Sequence, residues 1–304
     1  MMEQFPSYLS LFESGELYQR IEQLMEILEA CTLCPRQCRV NRKKGEIGVC
    51  GAGYKLTVSS AFPHFGEEPP LVGRYGSGTI FLTYCNLKCV FCQNYEISHQ
   101  GEGMEWSEEK LANQMLMLQN QGSHNINFVT PTHFIPQLVA ALPLAIQRGF
   151  RLPLVYNSGG YEQLAVIKLL EGIIDIYMPD AKFADPEVAR KYCNAPDYPE
   201  VNQKVLKEMH RQVGVLQINK SGIAERGLLI RHLVMPNNLA GTEKIMKFIA
   251  EELSLDSYVN IMAQYYPCFK ANQYPELSRR ITPKEFQQAI QIARSYGLYR
   301  GFGE

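Results

Sequence analysis

Cys85, Cys89 and Cys92 sit in the run Tyr84-Cys-Asn-Leu-Lys-Cys-Val-Phe-Cys92, a C-x3-C-x2-C spacing. Three thiolates from one tight loop are one fewer than closes a tetrahedral ion site or an ordinary ferredoxin cluster. A four-iron cube held at three corners leaves one iron open to an outside ligand, which is an arrangement for chemistry rather than scaffolding. The same spacing also fits a zinc loop with a distant fourth ligand, or cysteines packed as small hydrophobes. Phe91 and the strand-like run Gly78-Thr-Ile-Phe-Leu-Thr83 just before the loop favour the cluster. A second set lies upstream, where Cys31, Cys34, Cys38 and Cys50 read C-x2-C-x3-C-x11-C. Four thiolates in so short a stretch suit either a tetrahedral zinc or a fully ligated iron–sulfur cluster. Arg36, Arg39, Arg42, Lys43 and Lys44 surround this set as a basic collar, read as a solvated face that could meet an acidic electron donor. Cys193 and Cys268 fall outside both sets and read as buried or incidental thiols.

The first run resembles the signature of the radical S-adenosylmethionine (SAM) superfamily, in which SAM chelates the fourth iron through its amino and carboxylate groups. His64-Phe-Gly-Glu-Glu-Pro-Pro-Leu71, Gly76-Ser-Gly78 and Cys85 through Ser98 resemble more closely the uncharacterised branch related to pyruvate formate-lyase activating enzyme, over residues 15–300. The resemblance implies a 4Fe–4S cluster at Cys85, Cys89 and Cys92 and SAM as cofactor. Reductive cleavage of SAM would give methionine and a 5′-deoxyadenosyl radical that abstracts hydrogen from a C–H bond. The cofactor carries the hard chemistry, and the protein binds, aims and shields. The enzyme would be of the oxidoreductase or activating type. It would serve either as a glycyl-radical activating enzyme, with a protein substrate, or as a direct modifier of a peptide or small metabolite. An electron donor such as flavodoxin or ferredoxin is the implied partner.

Position by position, Met178-Pro-Asp180-Ala-Lys182 matches the Met-x-Asp-x-Lys run that ends the fourth barrel strand of the activating enzymes, placing Asp180 and Lys182 against SAM. Those relatives bind a monovalent cation beside the SAM carboxylate. The corresponding groups here are Asp180, the Met178 carbonyl and the pair Asn157-Ser158, with Asn157 standing where the family has an acid. Thr130 and Thr132 occupy the place of a Gly-Gly-Glu run that contacts the SAM amine, although Thr132 is equally suited to cap the following helix. Arg231 resembles a fifth-strand arginine facing SAM or substrate; the bland reading is a solvated strand terminus. Tyr265 and Tyr266 either flank adenine or substrate, or belong to the core. His133 reads as a substrate acid/base or as a structural histidine in a helix's first turn. His64 and Glu67 read as substrate or cation ligands, or as part of a polar turn. The upstream cysteines match the place where activating enzymes insert an auxiliary cluster region, so a second cluster or zinc is expected there. A reading of a different class is a non-catalytic iron–sulfur or zinc protein for electron transfer or sensing. The Asp180-x-Lys182 match and the succession of strands and helices argue against it.

These groups need a scaffold. Within 304 residues, 46% hydrophobic and with a formal charge of -1, the chain can bury a large core and offers no concentrated basic patch for nucleic acid. The start Met1-Met-Glu-Gln-Phe-Pro-Ser lacks the basic and apolar regions of a signal peptide, and no stretch is long and apolar enough for a membrane span. The expectation is a cytoplasmic protein whose clustered cysteines bind metal rather than pair as disulfides. An apolar stripe predicts a helix over Glu16–Ala30. Strands are predicted at Thr79–Thr83, Asn125–Thr130, Leu154–Asn157, Ile173–Met178, Leu228–Met235 and Val259–Gln264. Helices are predicted at Ser107–Gln121, Phe134–Gln147, Tyr161–Leu170, Val201–Val213, Thr242–Leu253 and Pro283–Tyr296. Such alternation gives an α/β fold with a parallel sheet and right-handed crossovers, either open and doubly wound or curled. The resemblance selects a partial (β/α)6 barrel of the radical SAM type with an N-terminal cysteine-rich extension. The division expected is 1–75, a helix plus cysteine-rich metal-binding extension, and 76–304, the barrel.

Overall fold

The structure, a computed structural model, describes residues 5–302. Its strands are β1 (Leu56–His64), β2 (Ser77–Leu82), β3 (Met104–Trp106), β4 (Ile126–Val129), β5 (Leu154–Ser158), β6 (Ile176–Pro179), β7 (Gln217–Ile218), β8 (Ala224–Leu233) and β9 (Tyr258–Met262). β2, β4, β5, β6, β8 and β9 pair in that order, each parallel to the next. No pairing joins β9 back to β2 among the described residues, so these strands form a partial (β/α)6 barrel. β1 pairs antiparallel with β2, and β3 antiparallel with β1, extending the sheet at one end.

All six predicted parallel strands are present, and the reason is visible in their burial. Every residue of β5 and β6 is buried, so these strands read as near-continuous apolar runs. Alternation still sorts their two faces. Val155, Ile176, Met178 and Leu229 point into the lumen and pack together, while Leu154, Tyr156, Tyr177 and Leu228 join the larger core beneath the helices.

The crossover helices start where local chemistry directs. Ser107 accepts from the Lys110 amide, and Thr282 and Glu285 form a reciprocal capping box before Pro283. The helix predicted over 134–147 is instead two, Ile135–Ala140 and Leu142–Gln147. Pro143, in the first turn of the second, has no N–H to continue the first. A helix at Pro186–Cys193, which the apolar pattern did not disclose, is capped by Asp185 on the Glu187 and Val188 amides. No described helix is long and apolar enough to cross a membrane.

The predicted boundary at residue 75 falls between β1 and β2, which are hydrogen-bonded to each other. Between them the chain enters the barrel. The short helix Pro69–Val72 places Leu71 among the lumen residues Val155, Ile176, Met178 and Leu229. Asn125 fixes this plug by donating to the Leu71 carbonyl (2.9 Å). Pro63 is tolerated near the end of β1 because β3 pairs only with Leu56, Thr57 and Val58, leaving that edge free.

Candidate active site

The carboxyl ends of all six parallel strands converge on a cavity of about 510 Å³. The cysteine loop follows β2 and supplies Cys85, Cys89 and Cys92 to the wall. The loop turns tightly, with Tyr84 and Lys88 held at positive φ (66° and 53°), a conformation costly for side chains of their size. The Lys88 ammonium donates to the Ser98 carbonyl at 2.9 Å, and the Ser98 hydroxyl lies 3.1 Å from Cys92 Sγ. The Leu87 amide points at Cys85 Sγ (3.4 Å).

All nine cysteines are free thiols. Burial pushes the Cys85 thiol up to about 12, and Cys89 is raised by its contact with Cys193 and by burial. Such thiols are protonated without a metal and become thiolates when one binds. Among the described residues no three His, Cys, Asp or Glu side chains gather tightly enough for a single ion. Three thiols from one loop on one cavity wall are the number that holds a four-iron cube with one iron left open. Cys193, read from sequence as incidental, is buried with its Sγ 3.2 Å from Cys89 Sγ.

Opposite the cysteines lies an ion network. Lys182 Nζ is 2.5 Å from Asp180 Oδ2, while Arg231 Nε and Nη2 both lie 3.0 Å from Asp180 Oδ1. Burial alone would raise the Asp180 carboxyl, but Arg231 and Lys182 outweigh it and hold it below the usual aspartate range. Arg231 Nη2 also donates to Asn157 Oδ1 at 2.6 Å. Asp180 and Asn157, expected to help cage a monovalent cation, are thus both engaged by a guanidinium. Ser158 lines the same cavity, and Met178 turns its side chain into the apolar lumen.

The plug brings two carboxylates to the cavity. Glu67 lies 3.4 Å from Asn157 Nδ2 and 3.9 Å from Arg231. Glu68 is buried, its two oxygens sharing the Asn260 amide (2.7 and 2.9 Å), and burial raises its carboxyl despite that bond. Sequence reading singled out Glu67 and passed over Glu68. The doubled acid at Glu67-Glu68 is the signal the sequence carries. His64 joins the wall, edge-on to Phe81.

Thr130 reaches the cavity at φ 60°, where a β-branched residue is a genuine outlier, with its amide on the Asn157 carbonyl (2.7 Å). Thr132 turns away. Its hydroxyl donates to Glu162 at 2.9 Å, Tyr156 donates to the other Glu162 oxygen at 2.8 Å, and it neither lines the cavity nor caps a helix. Burial raises Glu162 to about 7. His133 also turns inward. It is fully buried, its Nε2 lies 2.7 Å from the Thr83 carbonyl, and burial holds it neutral, down to about 3. Tyr265 lines the cavity by its ring, beside Phe91, while its hydroxyl donates to Leu277. Tyr266 is half-exposed under Arg280 and outside the cavity wall.

The upstream cysteines form a knuckle with Gln37 and Arg39 at positive φ (41° and 57°). Its backbone is tied by Cys31 N to Val40 O and Arg39 N to Cys31 O, both 2.9 Å. Two residues of the expected basic collar turn back onto the protein instead, Arg42 buried and Arg36 partly so. Arg42 is 1% exposed and donates to the Gly53 and His133 carbonyls, and Arg36 reaches the cluster loop. Only stretched side chains meeting buried carbonyls satisfy these guanidiniums, and composition cannot show that.

The family model described as the Radical SAM superfamily matches residues 79–223. An uncharacterized protein of Methanocaldococcus jannaschii, MJ0674, is 33% identical over 289 residues, covering 92% of this chain and 78% of its own length. A second uncharacterized protein of that organism, MJ0808, is 23% identical over 301 residues, covering 92% and 81%. Among solved structures, HydG, a maturase of the FeFe-hydrogenase, superposes with a TM-score of 0.52 at 10% identity, over 98% of this chain and 66% of HydG. This chain therefore spans just under two thirds of HydG, and the likeness is one of fold.

Proposed function

The chain belongs to the radical SAM superfamily, and on that premise we propose that its cavity holds SAM against a 4Fe–4S cluster ligated by Cys85, Cys89 and Cys92. The observation that carries this reading is the convergence on one cavity of three free thiols with the Asp180, Lys182 and Arg231 network. When bound, the cluster supplies the electron for reductive cleavage of SAM.

The chain's own residues bind, orient and exclude water. Asp180 holds Lys182 and Arg231 charged and fixed, so that they present N–H groups to a carboxylate or ribose without reorganising. Arg231 supplies the positive charge between Asp180 and Asn157 that a monovalent cation would otherwise bring. Leu87, Phe91 and the Tyr265 ring form an apolar wall that keeps water from a reactive alkyl radical. The plug fills the lumen below, so the substrate presents a small group at the mouth. A glycine-bearing loop of a protein partner, as in a glycyl-radical activating enzyme, meets that condition, and so does a small metabolite. We favour the activating role on the resemblance of the cluster and plug motifs. The upstream Cys31, Cys34, Cys38 and Cys50 are proposed to hold a second metal centre, an iron–sulfur cluster in preference to zinc on the resemblance to the auxiliary cluster region of the activating enzymes.

Anaerobic reconstitution, reduction and chromatography of the products test the reading. 5′-Deoxyadenosine is expected from the wild type and not from a variant with Cys85, Cys89 and Cys92 all replaced by Ala. A protein with full loop iron that neither binds nor cleaves SAM would overturn it in favour of electron transfer or sensing. Deuterium transfer from labelled candidates into 5′-deoxyadenosine identifies the substrate. Metal analysis of the triple variant shows what the upstream cysteines hold.

A further inference from the structure

Arg36 belongs to the upstream knuckle, between Cys34 and Cys38, yet all its hydrogen bonds leave it. Nε donates to the Asn86 carbonyl at 3.0 Å, Nη2 to the Cys193 carbonyl at 2.7 Å, and Nη1 to the Asn194 carbonyl. The guanidinium stacks 5.3 Å from the Tyr161 ring centroid. Asn86 follows Cys85 directly and is 2% exposed, with its side chain pinned to the Tyr161 carbonyl at 2.6 Å. Its carbonyl and the Leu87 N–H belong to one planar peptide unit. That N–H is a donor aimed at Cys85 Sγ, 3.4 Å away, beside the Lys88 amide. A fixed cation on the carbonyl end of an amide strengthens donation from its N–H end. Hydrogen bonds to ligand sulfur set the potential of an iron–sulfur cluster.

We propose that Arg36 is a positioning residue that couples the upstream cysteine knuckle to the reactive cluster, acting through the Asn86–Leu87 peptide on Cys85 Sγ. The inference rests on Cys85 ligating the cluster and on the metal proposed at Cys31, Cys34, Cys38 and Cys50. The same guanidinium holds the C-terminal end of helix Pro186–Cys193, and so the Cys193 thiol, in register with Cys89. Closing the knuckle on a metal fixes Arg36, and Arg36 fixes the amide. The state of the upstream site thereby reaches the loop cluster without a shared ligand. Gly51, beside Cys50, gives the two loops a second contact, since a Cβ there would lie 3.0 Å from the Tyr84 ring.

The test is an anaerobic redox titration of the full chain, followed by electron paramagnetic resonance. The signal counted is the one that changes on adding SAM, which reports only a cluster with an open iron. Arg36→Leu weakens donation to Cys85 Sγ and leaves the thiolate more electron-rich. The reactive cluster is then expected to be harder to reduce by about tenfold in the equilibrium constant, 59 mV for one electron. Arg36→Lys, which keeps the charge but not the fork, should recover part of the shift. Cys34→Ser should shift the potential in the same direction and add little to Arg36→Leu. Arg42→Leu, in the same knuckle but without contact to the cluster loop, should destabilise the fold and leave the potential unchanged. A wild-type potential in the Arg36 variants overturns the proposal, as does an equal shift in Arg42→Leu. If Arg36→Leu does not fold, Arg36→Lys and Cys34→Ser decide the matter on the same readout. A wild-type protein showing no SAM-responsive signal refutes the ligation by Cys85, Cys89 and Cys92 instead, which is a separate failure.

Discussion

Asp180→Asn removes one negative charge from between two cations and leaves the shape unchanged. The Asp180 side chain is 12% exposed, 2.5 Å from Lys182 and 3.0 Å from Arg231, so its loss leaves two partly buried cations, each 17% exposed, short of a counterion. Removing one partner of a buried pair costs about 3–5 kcal/mol, mostly as the penalty on the charge left behind. For 304 residues the unfolding entropy is roughly 0.6 kcal/mol/K, so the cluster-free variant should melt about 5–8 °C lower at pH 7. The sign with pH follows from the depressed carboxyl. Its contribution is present above the ordinary aspartate value, about 3.9, and is lost as pH falls through the lower folded value. The gap between wild type and variant should therefore be constant from about pH 5 to 8 and close below about pH 4. Lys182→Met added to Asp180→Asn should recover part of the loss, because it removes one of the stranded charges. Differential scanning calorimetry on the four proteins of this cycle reads all of it. A loss under about 1 °C, the range of surface substitutions, would show that water screens the network and would refute the preorganised site.

Three further outcomes are expected. Glu68 is raised by burial, so the folded state holds its proton more tightly than the unfolded one, and stability falls as pH rises above about 4.3. Glu68→Gln should remove that slope, gaining Tm relative to wild type at pH 8 but not at pH 4; parallel slopes in a melting series would contradict it. Gly160 has φ 71°, and a Cβ there would strike the Asp180 carbonyl and the Asn202 amide, so Gly160→Ala should cost about 2 kcal/mol or more in urea unfolding. With Arg231 already between Asp180 and Asn157, SAM affinity by calorimetry should be the same in potassium, sodium or tetramethylammonium chloride at equal ionic strength. A dependence on the cation is expected only in Arg231→Met.

Much of the barrel can be read along the chain because its causes are local. A strand buried on both faces must be apolar throughout, and a crossover helix announces itself by its stripe and its cap at Ser107 or Thr282. The division of Phe134–Gln147 into two helices was also local, since Pro143 states it, but the apolar stripe runs on regardless. β1 was missed because its Pro63 and its mixed burial look like a loop until β2 is alongside. The plug was missed for a related reason. Leu71 is one apolar residue in a Pro-rich turn, and only the side-by-side arrangement of β5, β6 and β8 gives it an apolar lumen to fill.

At the site, spacing by itself fixed that Cys85, Cys89 and Cys92 come from one loop and that Asp180 and Lys182 come from one strand end, because neighbours in sequence stay neighbours in space. Which side chains face that loop was decided only by tertiary structure. Thr132 and His133 lie two and three residues beyond Thr130, yet turn to Glu162 and Thr83 while Thr130 faces the cavity. Arg36 and Arg42 look like solvated collar residues until buried carbonyls from distant segments meet them. Cys193 stands 104 residues from Cys89 and touches it. Ligand spacing is a property of one short segment, whereas burial and partnership depend on pairings between strands and helices far apart in the chain.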